Sequence, residues 1–118
     1  MRQGVVILAA WISACAPRQA VQGDPTRGER RFGEIGCNGC HAVAGVGGVV
    51  GPDLSHLASR PLREAGRWRS VSEYLRESIR APQAYLVAGY PGDMPAAATL
   101  KLSDRDVEDL VAYLLTLR

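Results

Sequence analysis

Two cysteines and a histidine lie together in the sequence as Cys37-Asn38-Gly39-Cys40-His41. Two thiols at this spacing can add across the two vinyl groups of a haem, and the adjacent imidazole then lies under the iron as an axial ligand. A zinc site would need four ligands, and the sequence contains no second paired cluster of cysteine and histidine. A thioredoxin-like redox pair would need a βαβ setting, which no alternating apolar run supplies, and a disulfide across two residues is strained. The motif therefore predicts one haem c attached through Cys37 and Cys40, with His41 as an iron ligand.

A second axial ligand would decide between electron transfer and catalysis. Met94 precedes Pro95, which disfavours helix at Met94 and so predicts an extended loop that can present the thioether. His56, fifteen residues after His41, is an alternative ligand, and an open position is another. We expect Met94 to bind the iron. A His/Met pair leaves no vacancy for a substrate and favours one-electron transfer, whereas an open position would suit a small peroxidase or a sensor.

An uncharged run of eleven residues, 4–14, follows a positively charged start. This run is far shorter than the ~20 residues of a membrane-spanning helix, and it has the length of the apolar part of a signal peptide. It leads into the sequence Ile-Ser-Ala-Cys, ending at Cys15, which resembles the bacterial lipobox. In that motif the cysteine is acylated and becomes the first residue of the mature chain. An ordinary secretory signal that is cut nearby is the alternative.

The predicted signal peptide and lipobox set the predicted domain boundaries. Residues 1–14 are predicted to be a lipoprotein signal peptide, residues 15–23 a lipidated tether and residues 24–118 one domain. The mature chain would be exported and anchored in a membrane by lipid on Cys15, since two or three acyl chains bind a membrane stably. It would face the periplasm of a Gram-negative cell, or lie on the outer face of the cell membrane of a Gram-positive cell.

The composition indicates a small folded domain that lacks the usual aromatic core. The chain is 47% hydrophobic and 22% charged, which excludes a disordered chain. A net charge of +2 is not the concentrated basic excess of a nucleic-acid binder, so we expect no nucleic-acid partner. Only 6% of the residues are aromatic, and the long segments 43–52 and 81–100 are rich in glycine or proline. A buried porphyrin would both fill the centre and organise these loops.

Three helices are predicted to position the candidate ligands. The first runs from Pro25 to about Gly36, the second over 71–80 and the last over 103–114. Each begins at or just after a residue that caps helix N-termini, namely Asp24, Ser70 and Ser103. Ser70 with Glu73 also fits a capping box. No run of residues shows the alternation that would predict a sheet.

Taken together, residues 24–118 resemble a class I cytochrome c. Gly28 and Phe32, with Leu110 and Tyr113, are similar to the residues at the family's crossing of the N- and C-terminal helices. The resemblance implies an all-α fold of three to five helices. It also implies long loops wrapped around one covalently bound haem, and terminal helices that cross.

The resemblance also implies roles for three further residues. The sequence Gly-Pro-Asp-Leu at 51–54 is similar to a family motif whose proline carbonyl, here that of Pro52, accepts a hydrogen bond from the iron-bound histidine. Arg60 falls where the family often places an arginine near a haem propionate. Met94 matches the family's distal methionine.

A narrower likeness concerns residues 51–60 and the sequence Pro-Gln-Ala at 82–84. They resemble the cytochrome c domain fused to subunit II of some haem–copper oxidases. The expected His/Met ligation predicts a one-electron carrier and not an enzyme, tethered through Cys15. Its raised potential predicts a late place in a respiratory chain, with a quinol-oxidising complex as donor and a terminal oxidase or reductase as acceptor. The alternatives are an electron-entry subunit of a larger complex and a haem c peroxidase or sensor. The net-positive stretch from Arg60 to Arg80 would be either a solvated face or a docking surface for an acidic partner.

Replacement of Cys15 by serine tests the predicted anchor. Because serine has no sulfur to acylate, Cys15→Ser should move the protein from the membrane fraction to the soluble fraction with its haem still attached. Cell fractionation followed by haem staining measures this. Retention of the variant on the membrane would contradict the lipobox interpretation and would favour a tight docking interface.

Overall fold

The computed structural model describes residues 21–64 and 66–118. They form three α-helices, α1 (Pro25–Glu34), α2 (Val71–Arg80) and α3 (Asp104–Leu114), with short 3-10 turns at Cys37–Gly39, Leu57–Ser59 and Pro82–Ala84. Within the described ranges no helix is long and apolar enough to cross a membrane. The predicted signal peptide and Cys15 lie outside the described residues, as does most of the predicted tether.

Local capping fixes where α1 and α3 begin. The Asp24 carboxylate accepts the backbone N–H of Arg27 at 2.9 Å, and Pro25 supplies the first helical residue, where its missing N–H costs nothing. At α3, the Ser103 hydroxyl accepts the N–H of Asp106, and the Asp106 carboxylate accepts the N–H of Ser103. These helices therefore begin where their capping residues predict.

The cap of α2 forms only half of the predicted capping box. The Ser70 hydroxyl accepts the N–H of Glu73 at 3.2 Å, but the Glu73 carboxylate accepts the N–H of Arg69 at 2.8 Å. The Arg69 guanidinium also pairs with this carboxylate at 3.3 Å. The ion pair draws the carboxylate one residue further back along the chain, and the helix still begins at Val71 as predicted.

A minimal β-hairpin, which the sequence did not predict, follows the cysteine motif. Strands β1 (Ala42–Val43) and β2 (Val46–Gly47) are antiparallel, with Val43 opposite Val46. The two residues between them, Ala44 and Gly45, have φ of 51° and 78°. Positive φ at both positions is the geometry of a type I′ turn, which suits the twist of paired strands. Strands of two residues are too short to show an alternating pattern.

The N- and C-terminal helices cross, as the sequence predicted. A Cβ at Gly28 would overlap the backbone carbonyl of Asp109 and would come within 2.8 Å of the Tyr113 Cβ. Only glycine therefore allows α1 to approach α3 this closely. One turn further along α1, Phe32 packs edge-on against Tyr113, with ring centroids 5.5 Å apart.

The apolar core lies where α3 meets α1 and α2. Leu75 and Ile79 of α2 pack with Leu110 and Leu114 of α3, and Ala97 joins them from the segment before α3. Val107 and Val111 are the most completely buried side chains of this core. The apolar faces of α2 and α3 thereby form one wall of a space that the long loops enclose.

Asp109 is a buried carboxylate that ties the start of α1 to α3. Its side chain is almost wholly covered, and Oδ1 accepts the backbone N–H of Asp24 at 2.7 Å. The Arg27 guanidinium donates to both carboxylate oxygens, at 2.8 and 2.9 Å. These hydrogen bonds from Arg27 hold the pKa of the Asp109 carboxyl below its usual value.

Asp109→Asn should lower the free energy of unfolding by roughly 2 kcal/mol, because Arg27 would face an uncharged amide. Since the folded-state pKa of Asp109 is lowered, its stabilisation is present above the unfolded-state pKa of about 4 and is lost as the pH falls through the folded-state pKa. Urea unfolding should therefore show that the difference in the free energy of unfolding between wild type and variant is largest at neutral pH and shrinks in acid.

Asp104→Asn is the matched control. Its carboxylate pairs with Arg80 but is 93% exposed, so the free energy of unfolding should hardly change. If both variants lost the same free energy of unfolding, or if the effect of Asp109→Asn were independent of pH, the charge of Asp109 beside Arg27 would not stabilise the fold as proposed.

Candidate haem site

A cavity of about 520 Å³ opens beside α2 and the end of α3, within the size range of cofactor sites. Leu75, Ile79 and Leu114 give it an apolar wall. Its lining also includes every residue that the sequence predicted for the haem site: Cys37, Cys40, His41, Pro52, Arg60 and Met94. The alternative ligand His56 is exposed and is not among the described residues that line this cavity.

The cysteine motif folds as one tight turn at the end of α1. Gly36 takes φ of 82°, which ends the helical segment, and the 3-10 turn Cys37–Gly39 follows. The N–H groups of Cys40 and His41 both donate to the Cys37 carbonyl, at 3.2 and 3.0 Å. The two thiols are free and not joined in a disulfide. Burial raises the pKa of the Cys37 thiol, whereas Cys40 is exposed.

The His41 ring is fixed by its neighbours on the glycine-rich loop. Its Nδ1 lies 2.7 Å from the Pro52 carbonyl oxygen, so Nδ1–H donates and Nε2 keeps a free lone pair. A Cβ at Gly51 would lie only 2.5 to 3.0 Å from the ring atoms of His41. Glycine at this position therefore leaves room for the imidazole.

Backbone hydrogen bonds hold the glycine-rich loop against the cysteine turn. The N–H of Gly48 donates to the Asn38 carbonyl at 2.9 Å, and the N–H of Gly51 donates to the Cys40 carbonyl at 2.8 Å. A Cβ at Gly48 would overlap the backbone of Gly39. The loop is rich in glycine because its backbone must lie directly on the turn.

Arg60 and Met94 line the cavity on different segments. The Arg60 guanidinium lies 3.8 Å from the Asp53 carboxylate and is about two-fifths exposed. Hydrogen bonding from Ser55 is the main cause that lowers the pKa of Asp53 below its usual value, and Arg60 is a smaller one. Met94 is half-buried on the wall formed by the loop before α3.

A family model for cytochrome c matches residues 25–118. The chain belongs to the cytochrome c family. It is also similar to the cytochrome c oxidase subunit 2 of Alkalihalophilus pseudofirmus, with 36% identity over 92 residues that cover 78% of this chain and 25% of that protein. The chain thus spans about a quarter of the length of the curated relative that it matches.

Family membership confirms the predicted helical fold and the predicted covalent haem c at the Cys-x-x-Cys-His motif. The residues of this cytochrome fit that group. Two unbridged thiols lie beside an imidazole whose Nε2 is free, and the cavity next to them has apolar walls. The fit agrees with the shortage of aromatic residues, because the cofactor supplies part of the core.

An aromatic cluster beside the cavity escaped the sequence analysis. Trp68 is buried between Tyr74 and Tyr85, with ring centroids 4.8 and 4.9 Å away, and both tyrosines line the cavity. Its Nε1–H is buried and has no hydrogen-bond partner among the described residues. Trp68 lies in an arginine-rich segment with no helical pattern, so only its residue type could have drawn attention to it.

The arginines between Arg60 and Arg80 are mostly paired within the cytochrome. Three pairs lie at 2.7 to 2.9 Å, and their arginines are Arg67, Arg76 and Arg80, which contact Glu77, Glu108 and Asp104. Arg69 pairs with Glu73. This pairing neutralises much of the stretch and supports the solvated face over the docking surface for an acidic partner.

Gly51→Ala should disturb the His41 imidazole without changing either cysteine. The added methyl would meet the His41 ring at 2.5 Å, so either the ring or the Pro52 carbonyl must move and their hydrogen bond must weaken. We expect a loss of roughly 1 to 3 kcal/mol in the free energy of unfolding of the haem-loaded protein, measured by denaturant titration.

Gly33→Ala is the control for this substitution, since a Cβ at Gly33 meets nothing within 4 Å and the residue lies in α1. It should be neutral or slightly stabilising. If Gly51→Ala were as neutral as Gly33→Ala, the packing of Gly51 against His41 would not hold the ring.

Proposed function

We propose that this cytochrome is a membrane-tethered one-electron carrier in which His41 and Met94 would both bind the haem iron. One observation carries the proposal: both side chains line the same cavity, onto which the cysteine turn opens. The bound haem supplies an iron that cycles between the ferric and ferrous states. The exposed position of His56, away from the cavity lining, supports Met94 over His56 as the second ligand.

The chain's own residues set the properties of the site. The hydrogen bond from His41 Nδ1 to the Pro52 carbonyl orients the imidazole and makes its Nε2 a stronger donor to the iron. The Met94 thioether favours ferrous iron and so raises the reduction potential relative to a second histidine. Leu75, Ile79 and Leu114 exclude water from the cavity wall.

Arg60 is available for the negatively charged propionates of the haem. It keeps its guanidinium at the cavity, only loosely paired with Asp53. We propose that it donates to propionate oxygens, since hydrogen bonds between a guanidinium and a carboxylate are strong.

We propose an uncharged docking surface for the redox partner on the hairpin and the loop that follows it. Val46, Val49 and Val50 are 77%, 87% and 53% exposed, and no charged residue lies between Ala42 and Pro52. This loop is bonded to the exposed end of the cysteine turn at Cys40, where the haem is attached. A partner with a matching uncharged, apolar surface would therefore dock close to the cofactor.

The similarity to a cytochrome c oxidase subunit 2 supports a terminal oxidase as the electron acceptor. A quinol-oxidising complex as donor and the lipid anchor at Cys15 complete this proposal. Since the relative is itself named as a subunit, a fixed electron-entry subunit of a larger complex is the second candidate function. Copurification from membranes in mild detergent separates a fixed subunit from a tethered carrier.

Met94→Ala tests the distal ligand. The ferric wild type should show the weak red charge-transfer band of thioether ligation and should bind cyanide or carbon monoxide slowly, because each must displace a ligand. The variant should lose the band, lower its reduction potential and bind these small ligands readily. Optical spectra and redox titration measure the change.

Met94→His provides the matched comparison, since it keeps six ligands but replaces sulfur with nitrogen. It should lower the potential while the iron stays closed to carbon monoxide. One result would contradict Met94 as the ligand. If wild type binds carbon monoxide readily and turns over peroxide, and Met94→Ala changes neither property, the peroxidase or sensor alternative replaces electron transfer.

Val49→Asp tests the uncharged docking surface. An unpaired carboxylate in an apolar interface should lower the rate constant of electron transfer to the partner by about tenfold. Oxygen uptake by host membranes depleted of this cytochrome, with purified protein added back, measures the rate. Ala98→Asp, at an exposed position outside the hairpin and its loop, is the control and should leave the rate unchanged.

The wild-type rate should also depend only weakly on ionic strength, because the proposed interface is uncharged. If the rate fell steeply with added salt, and if Val49→Asp were as fast as Ala98→Asp, the uncharged docking surface would be wrong. The net-positive stretch from Arg60 to Arg80 would then be the surface to test.

A further inference from the structure

The loop that carries Met94 has few hydrogen bonds of its own. Among the described residues, segment 85–95 makes one bond within itself, from the N–H of Tyr90 to the Val87 carbonyl at 3.1 Å. Pro91 and Pro95 supply no N–H donors. Beyond the loop, the N–H of Ala97 donates to the Ile79 carbonyl at 3.0 Å and fixes the chain to the end of α2.

Tyr85, at the start of this loop, packs against Trp68, and within the described residues a single side chain makes the other hydrogen bond to the loop backbone. Gln83 Nε2 donates to the Gly92 carbonyl, two residues before Met94. Met94 therefore lies between two fixed points, the backbone bond at Ala97 and the side-chain bond at Gly92. Of the two, only the second depends on the identity of a side chain.

Glycine at position 92 makes room for this contact. A Cβ there would lie 2.5 Å from Gln83 Oε1 and 3.3 Å from Leu86 Cδ2. Its backbone is not in the left-handed region, so alanine could take the same conformation. The methyl of an alanine would instead displace the amide of Gln83.

The turn that bears Gln83 is itself anchored. Arg67 donates to the Ala84 carbonyl and to the Glu77 carboxylate of α2, each at 2.9 Å. Its guanidinium lies over the rings of Trp68 and Tyr85, at 5.0 and 5.5 Å from their centroids. Pro82, at the start of the turn, is buried. Gln83 thus reaches the loop from a rigid base.

We infer that Gln83 is a positioning residue that clamps the Met94 loop closed through the Gly92 carbonyl. The inference rests on the proposed function, in which Met94 binds the iron. Release of the clamp leaves the His41 side of the cavity unchanged, but lets the Met94 loop move away from it more often. The fraction of molecules open to an outside ligand then rises, and the apparent affinity for that ligand rises with it.

Imidazole binding to the haem-loaded ferric protein measures this fraction, because imidazole must displace Met94. Gln83→Ala should raise the apparent affinity for imidazole about three- to tenfold, the effect of one partly exposed hydrogen bond. Gln83→Glu keeps the length of the side chain but loses the N–H donor, and it should behave in the same way. The red thioether band should persist without imidazole and disappear at lower imidazole concentration than in wild type.

Gly92→Ala should disrupt the same hydrogen bond by displacing the Gln83 amide. It should therefore raise the apparent affinity for imidazole by the same factor as Gln83→Ala. If both substitutions act through one contact, the double variant should bind imidazole no more tightly than either single variant. The matched controls are Gln22→Ala, at an exposed glutamine before α1, and Gly33→Ala. Both should leave the apparent affinity at the wild-type value.

The outcomes separate the clamp from the proposed function. If Met94→Ala removes the band and raises imidazole affinity, while Gln83→Ala and Gly92→Ala match the controls, the clamp is overturned and Met94 remains the ligand. Additive effects in the double variant would also overturn a shared contact. If Met94→Ala changes neither the red thioether band nor the affinity for imidazole, Met94 is not the ligand. The clamp inference is then wrong as well, because it depends on that ligand.

Discussion

The close approach of α1 and α3 is the constraint on which the rest of the structure depends. Gly28 lets the backbone of one helix lie directly on the carbonyl of Asp109 in the other, and the buried Asp109 carboxylate closes the contact through Arg27. Helix α1 leads straight into the cysteine turn, whereas α3 ends at Leu114 on the cavity wall. The crossing therefore sets the distance between the point of haem attachment and the apolar wall that faces the haem.

The protein's own core is small, and the cofactor completes it. The buried apolar residues come mainly from one face each of α2 and α3, whereas the segments between α1 and α2 and between α2 and α3 are largely irregular. Such loops need partners for their backbone groups and side chains. The cysteine turn and the cavity wall give some of these partners, and a bound haem would give the apolar ones. For this reason we expect folding and haem attachment to be coupled.

The features that the sequence predicted well are set by neighbours along the chain. Asp24 and Ser103 cap their own helices, and the Cys-x-x-Cys-His spacing is chemical, so both can be recognised without knowledge of the fold. The hairpin at 42–47 could not be predicted, because its turn uses Ala44 with positive φ, which few non-glycine residues adopt. Trp68 and the Gln83 contact with Gly92 depend on how distant loops pack, and no spacing signals them.

The hydrogen bond from the backbone of Asp24 to the Asp109 side chain has a mechanical consequence. Gly23, just before it, lies so close to α3 that a Cβ would overlap the Glu108 carbonyl. A pull along the chain from the N-terminal side, as from the proposed tether, would first load these contacts. The cysteine turn lies at the far end of α1. Tension on such a tether would thus be borne by the helix crossing before it reached the cysteine turn.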